Sequence, residues 1–216
     1  MPMMLELFAG TGSVGNVAKE LGYDVISLDR DMEAEIQIDI MKWDYTDFPR
    51  GLFDVIWASP PCTEYSRAKS RGIRDIAGSN KVVQRAIEII EYFSPKYWII
   101  ENPQTGLLKD QEFMKWIPCK DIDYCKYGMP YRKRTRLWNN IDGWKPKPLC
   151  KRDCNSMNEG RTRHIQEAQQ GGNTAERRLT QRTFATTDLY KVPAELIKEI
   201  LLACDMEAEN ASEGEM

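Results

Sequence analysis

A thiol and a carboxylate each follow a short apolar run in this sequence, at the points where a strand should end. Cys62 closes Ala58-Ser59-Pro60-Pro61-Cys62 behind Phe53-Asp54-Val55-Ile56-Trp57-Ala58, a run that reads as a buried parallel strand. Two consecutive prolines stop the ladder and project the next side chain beyond it. Ligands of open parallel sheets bind outside the carboxyl ends of the strands, which makes Cys62 a candidate nucleophile rather than a small buried hydrophobe. Tyr97-Trp98-Ile99-Ile100 reads as a second buried strand, ending in Glu101-Asn102-Pro103. A carboxylate delivered there shares the cleft with the thiol. Further on, period-two alternation in Arg134-Thr135-Arg136-Leu137-Trp138 sends Arg134 and Arg136 to one face.

These groups need a scaffold, and the start of the chain supplies one. Met4-Leu5-Glu6-Leu7-Phe8 reads as a strand and Gly10-Thr11-Gly12-Ser13-Val14-Gly15 as a tight glycine turn, while Val14, Val17, Ala18 and Leu21 keep helical spacing to Gly22. A strand from Asp24 to Leu28 ends in Asp29, at the distance after the first glycine where a carboxylate accepts hydrogen bonds from ribose hydroxyls. This arrangement suits either a nicotinamide or flavin fold or an S-adenosylmethionine fold, and the glycine spacing does not separate the two. Asn80 to Phe93 reads as a helix, with Ser79 or Asn80 as N-cap and Val83, Ala86, Ile87 and Ile90 facing inward.

At 216 residues and 42% hydrophobic composition the chain suits one compact domain. No apolar stretch approaches the roughly 18 residues of a membrane span, and the start lacks the basic-then-apolar order of a signal peptide. A soluble intracellular protein is expected, without membrane partners. Six unevenly spaced cysteines suit reduced thiols better than a disulfide framework. Cys150, Cys154 and His164, with Cys119 and Cys125 upstream, raise a zinc reading, but their spacings match no common finger and no metal is expected. The net charge of -3 conceals an asymmetry. Lys126 to Arg163 holds eleven Lys or Arg against Asp142, Asp153 and Glu159, whereas Asp205 to Met216 holds five acids and no base. Tyr131, Trp138 and Trp144 interleave with the basic stretch, a cationic and aromatic mix typical of a nucleic-acid surface. The acidic tail is expected to be disordered.

Phe8-Ala9-Gly10-x-Gly12, Pro60-Pro61-Cys62 followed by Ser66, Glu101-Asn102 and Arg134-x-Arg136 come in the order and approximate spacing of the DNA (cytosine-5)-methyltransferases. The chain resembles that family clearly from about residue 3 to 140, and the Val192-Pro193 helix to about Leu202 resembles its C-terminal segment, which packs back beside the cofactor. The resemblance implies a Rossmann-like S-adenosylmethionine-dependent methyltransferase fold: a doubly wound, mostly parallel α/β sheet with an antiparallel final strand and a small recognition insert. It implies that Cys62 adds as a thiolate to carbon 6 of cytosine and that Glu101 holds nitrogen 3 and the exocyclic amine while donating a proton. Arg136 would contact the base oxygen, and Arg134 would brace the carboxylate and the catalytic loop. S-adenosylmethionine is the implied cofactor, with Phe8 on the adenine face, Ala9, Gly10, Thr11 and Gly12 at the methionine end, Asp29 at the ribose and Asp39 at the adenine amine. Arg30, Ile40 and Pro61 complete that implied pocket.

The implied partner is double-stranded DNA bound by a monomer, with the target cytosine flipped out of the stack. Residues 63–81 would close over it, using Arg67, Lys69, Arg71, Arg74 and Lys81 for phosphates and Gly72 and Gly78 as hinges. The expected divisions are a catalytic core over 1–142, a recognition segment over 143–178, a returning C-terminal segment over 179–204 and the tail over 205–216. The sequence departs from the family pattern at Arg132, where a polar residue opens the arginine motif, at Pro103, where a small aliphatic residue is commoner, and at Leu189-Tyr190, where Gly-Asn is usual. The recognition segment is also short. An RNA-directed enzyme of the same chemistry and a non-catalytic nucleic-acid-binding relative are the alternatives, although the RNA branch's Cys-Phe-Thr signature is missing. Amino-group methylation needs a stacking ring where Cys62 stands.

Overall fold

The computed structural model describes residues 1–166, 168 and 189–214, with side chains described to residue 208. Seven strands among these residues form one sheet: β1 (Met3–Leu7), β2 (Asp24–Asp29), β3 (Ile36–Gln37), β4 (Val55–Ala58), β5 (Tyr97–Pro103), β6 (Cys119–Asp123) and β7 (Arg134–Asn139). Their order is β3-β2-β1-β4-β5-β7-β6. β1 to β5 pair in parallel, and β7 runs antiparallel to both of its neighbours. The inner strands are apolar on both faces because both are covered. Helices α1 (Ser13–Glu20) and α3 (Ala194–Gly214) lie on the face built from Met4, Trp57, Ile99 and Leu137, and α2 (Ile76–Phe93) lies on the face built from Leu5, Ile56, Ile100 and Trp138. The chain winds outward from β1 in one direction and from β4 in the other. The crevice where such a sheet binds ligands therefore opens at the carboxyl ends of β1 and β4, where Phe8 and the Ser59–Cys62 turn emerge.

Two expectations about the elements change. α2 begins a turn before Asn80, at Ile76, because the Asp75 side chain accepts from the Gly78 amide at 2.8 Å and caps the helix first. Asn80 is engaged elsewhere, accepting from the Tyr65 hydroxyl at 2.9 Å and donating to Gln111 at 2.9 Å. The acidic tail, expected to be disordered, continues α3 as helix to Gly214. Two of its acids are acceptors: the Tyr23 hydroxyl donates to Asp205 at 2.6 Å, and the Gly143 amide donates to Glu207. Upstream, the Val192 amide donates to the Ser13 hydroxyl at 3.1 Å, at the start of α1. No helix among the described residues is long and apolar enough to cross a membrane.

Candidate active site

The glycine turn forms because the chain reverses on Gly10 and Gly12, at φ of 54° and 67°, a region that costs other residues side-chain clashes. Phe8 takes φ of 62° without being glycine. A bulky residue held there costs about 1–3 kcal/mol, and such strain collects where a side chain must be aimed at a ligand. Asp29 ties the ends of β1 and β2 together. One of its oxygens accepts from the Gly10 amide at 2.9 Å, and the other accepts from the Asp31 and Met32 amides at 2.8 and 2.9 Å. A carboxylate offers about four lone-pair sites, so one remains for a further donor. Asp39 stands just past β3 and accepts from the Met41 amide at 2.9 Å, while Ile40 beside it is buried. The exposed Arg30 folds back onto Asp31, its guanidinium 2.7 Å from the carboxylate. A cleft of about 620 Å³ runs along the turn, lined in part by Gly10, Thr11, Gly12, Asn16, Ser27 and Glu33; Phe8, Asp29, Asp39 and Ile40 lie outside its lining. The Thr11 hydroxyl oxygen is buried without a hydrogen-bond partner.

Glu6, under the turn, has no role in the sequence reading, although an acid inside Met4-Leu5-Glu6-Leu7 is itself a signal. It is 3% exposed and accepts from the Gly15 amide at 3.0 Å, and a Cβ at position 15 would stand 2.5 Å from its oxygen. Burial pushes its carboxyl up from 4.5 to about 7, against the pull of the Gly15 and Val14 amides. The folded protein thus holds a proton that the unfolded chain releases, and stability falls as the pH rises from 4.5 to about 7. At roughly 1.4 kcal/mol per pH unit the full loss is about 3 kcal/mol, complete above that window. Glu6→Gln is expected to flatten the thermal midpoint between those pH values. A variant whose midpoint still falls as steeply as the wild type's assigns the effect to another group.

Past the carboxyl end of β4, the Pro60 carbonyl accepts from the Asn102 side chain at 2.9 Å, so β5 holds the turn that carries Cys62. Cys62 is half-buried, and Pro61 beside it is exposed. Burial pushes the Cys62 thiol up, the Lys133 ammonium pulls it down, and Glu101 raises it again. Glu101 is 6% exposed; it accepts from the buried Tyr124 hydroxyl at 2.9 Å and lies 3.7 Å from the Lys133 ammonium. That ammonium also sits 4.9 Å from the centre of the Tyr124 ring. Thiol, carboxylate and cation thus share one neighbourhood.

Arg134 and Arg136 do not join it. β5 and β7 pair Glu101 with Leu137 and Asn102 with Arg136. Residues opposite each other point to one side of the sheet, so Glu101 shares its face with Leu137 and Thr135 and, one step before the strand, with Lys133. The two arginines do lie on a common face, as alternation predicts, but it is the other one. There Arg134 grips Asp123 at 3.0 and 2.8 Å, and Arg136 grips Asp121 at 2.6 and 2.9 Å. The brace on the carboxylate therefore comes from Tyr124 and Lys133, which the arginine spacing had obscured.

The charged surfaces also differ from expectation. In residues 63–81, Arg74 donates to the carbonyls of Glu64, Ser66 and Lys69, Lys69 pairs with Glu64 at 2.6 Å, and Arg67 pairs with Asp110 at 3.3 Å. These cations hold the loop together, leaving Arg71 and Lys81 exposed. Gly72, at φ of 77°, retains a hinge geometry, whereas Gly78 lies inside α2 where a Cβ would strike Asp75. Tyr131, Trp138 and Trp144 are 1%, 1% and 3% exposed; they fill the core layers and present no ring for stacking. The outward basic groups of the stretch include Arg132 and Lys145 and, around a hairpin in which Met157 bridges His164, Lys151, Arg152, Arg161 and Arg163. Residues 167 and 169–178 of the expected recognition segment, and 179–188 of the returning one, lie outside the described residues. The spacing argument against a metal fails in three dimensions: Cys125, Cys150, Cys154 and His164 bring their donor atoms within 4.8 Å of one another, and Cys119 stands apart, exposed on β6.

Comparison with known proteins adds a second line of observation. The model of the C-5 cytosine-specific DNA methylase family matches residues 3–132. A protein of Frog virus 3 (isolate Goorha) named probable DNA (cytosine-5)-methyltransferase is 37% identical over 221 residues, which cover 93% of this chain and 99% of that protein. Among solved structures, a prophage-encoded protein from E. coli named as a DNA modification methyltransferase superposes with a TM-score of 0.52 at 15% identity over 69% of this chain. The chain spans about half, 52%, of that structure, and the likeness is one of fold.

Proposed function

Because the chain belongs to the C-5 cytosine-specific DNA methylase family and is on that ground an S-adenosylmethionine-dependent DNA (cytosine-5)-methyltransferase, we propose that Cys62 is its nucleophile and Glu101 its acid, with Lys133 and Tyr124 positioning them. Carbon 5 of cytosine is a poor nucleophile in an aromatic ring. Addition of the Cys62 thiolate to carbon 6 makes it an enamine carbon, able to attack an electrophilic methyl group. S-adenosylmethionine, when bound, supplies that group as a sulfonium. Charge builds on the ring as sulfur adds, and a carboxyl group on nitrogen 3 and the exocyclic amine relieves it by donating a proton. Glu101 is fixed for this by its 2.9 Å bond from Tyr124. A base then takes the carbon 5 proton, and Cys62 leaves by elimination. The carrying observation is Lys133, which lies 3.7 Å from Glu101 and lowers the Cys62 thiol against its burial.

The target atom is hidden in the duplex, so the base leaves the stack and enters this crevice, with one chain serving one site. The exposed Arg71 and the basic hairpin around 158–163 meet the phosphates of the duplex, and residues 143–178 read the sequence. On the cofactor side, the positive-φ glycine backbone, the orphaned Thr11 hydroxyl and the free acceptor site on Asp29 fit a ligand bearing hydroxyl and amino donors. Asp29→Ala is expected to weaken S-adenosylmethionine binding by about 1–3 kcal/mol in a calorimetric titration, since a buried donor loses its acceptor. Turnover at saturating cofactor survives. Affinity equal to the wild type's removes Asp29 from the pocket.

Base-resolution sequencing of duplex DNA treated with the protein and S-adenosylmethionine tests the whole reading. The expected product is 5-methylcytosine. Modification on an exocyclic amine, or on RNA alone, overturns it.

A further inference from the structure

We propose that Cys125, Cys150, Cys154 and His164 form a structural zinc site that clips the basic hairpin to the segment holding the catalytic carboxylate. The donor set comes from three separate pieces of chain. Cys125 lies in the 3-10 turn Tyr124–Tyr127, Cys150 and Cys154 bracket a short loop, and His164 closes the hairpin opposite Met157. The three thiols are 4%, 5% and 6% exposed, with Met157 packed against them.

Apolar packing accounts for buried cysteines, but it does not account for the imidazole. His164 is the chain's single histidine, and its Nε2 lies 3.6 Å from the Cys150 sulfur. In a tetrahedral centre with Zn–S of about 2.3 Å and Zn–N of about 2.0–2.1 Å, the sulfur-to-nitrogen edge is about 3.6 Å. All four donor atoms fall within 4.8 Å of one another, close enough for a small inward movement to complete that geometry. Three thiolates and an imidazole select zinc over the hard, oxygen-seeking cations, and four protein ligands leave no open position for catalysis. Binding releases the three thiol protons to solvent. The single negative charge that remains lies in the most basic stretch of the chain.

The surrounding hydrogen bonds show what such a centre would hold. The Cys150 amide donates at 2.9 Å to Asp123, the residue gripped by Arg134. Cys125 follows Tyr124, whose hydroxyl holds Glu101. Hairpin, Asp123–Arg134 pair and carboxylate clamp therefore converge on one cluster. The inference stands on thiol and imidazole geometry and does not depend on the methyl-transfer reading.

Elemental analysis of the full-length protein, purified without chelators, is expected to find about one zinc per chain. Cys150→Ser and His164→Ala should bring this below about a tenth, while Cys119→Ser keeps it. If those variants fail to fold, the wild type still decides the matter. Cobalt(II) added to the reduced, metal-free protein should give the visible bands of a tetrahedral thiolate-rich site, and zinc should abolish them. Zinc removal should also speed amide exchange in 150–164 and 124–127 and leave α2 unchanged. A wild type with neither zinc nor cobalt bands overturns the proposal, as does metal that survives Cys150→Ser or a disulfide among the three cysteines in the native protein.

Discussion

Replacing Cys62 by serine is expected to lower methyl transfer to cytosine by about 10⁴-fold or more, because a hydroxyl at neutral pH supplies almost no anion to add to carbon 6. S-adenosylmethionine affinity should stay near that of the wild type, since the side chain is not among those lining the cleft along the glycine turn. DNA carrying 5-fluorocytosine at a target should trap the wild type in an adduct that survives denaturation, the fluorine being unable to leave as a proton does, and should not trap the variant. The thiol also reports on its surroundings. Burial pushes it up and Lys133 pulls it down, so Lys133→Met should move the pH profile of Cys62 alkylation to higher pH. A serine variant that methylates at a comparable rate, or an alkylation profile indifferent to residue 133, shows that this cysteine is not activated as argued.

The second large effect belongs to Glu101. Glu101→Gln keeps the shape and a hydrogen bond to the base but has no acidic proton to give, and turnover is expected to fall by about 10²–10³-fold with the KM for cofactor little changed. Tyr124→Phe removes the 2.9 Å donor and leaves the acid in place. Its cost should be smaller, about 10-fold, as for one buried hydrogen bond. Single-turnover methylation measures both. Equal rates for wild type and Glu101→Gln would remove the carboxylate from the chemistry, and a Tyr124→Phe loss as deep as that of Glu101→Gln would mean that the clamp, and not the proton, is what the glutamate contributes.

The strand ends that carry Phe8, Asp29, Cys62 and Glu101 were legible in the sequence because each follows an apolar run and is marked by glycine, proline or a lone acid. Those signals are local. Lys133 and Tyr124 were not legible, because which face of β7 meets Glu101 depends on the register Glu101–Leu137, and register is set by partners far along the chain. Spacing within the arginine motif put Arg134 and Arg136 together and said nothing about which side of the sheet they share. The same limit explains why spacing argued against a metal at cysteines that three segments bring together, and why the burial of Tyr131, Trp138 and Trp144 went unseen beside basic neighbours that gave the stretch the look of a surface. The start of α2 was misplaced for a different reason: several residues there can cap, and Asp75 wins because glycine at position 78 lets its carboxylate close in.

The tie between Ser13 and Val192, and that between Tyr23 and Asp205, join residues 179 and 182 positions apart. At a synthesis rate of about 5–20 residues per second, α1 emerges from the ribosome roughly 10–40 s before the helix that covers it. During that interval Val14, Val17 and Ala18 can pack on Met4, Tyr23 and Trp57, but the side of α1 that meets α3 stays uncovered. The glycine turn is thus the first part of the catalytic machinery to be made and among the last to be completed. The order of synthesis sets the order of closure: the turn is shaped by the first strands and is locked only when the last helix of the chain arrives.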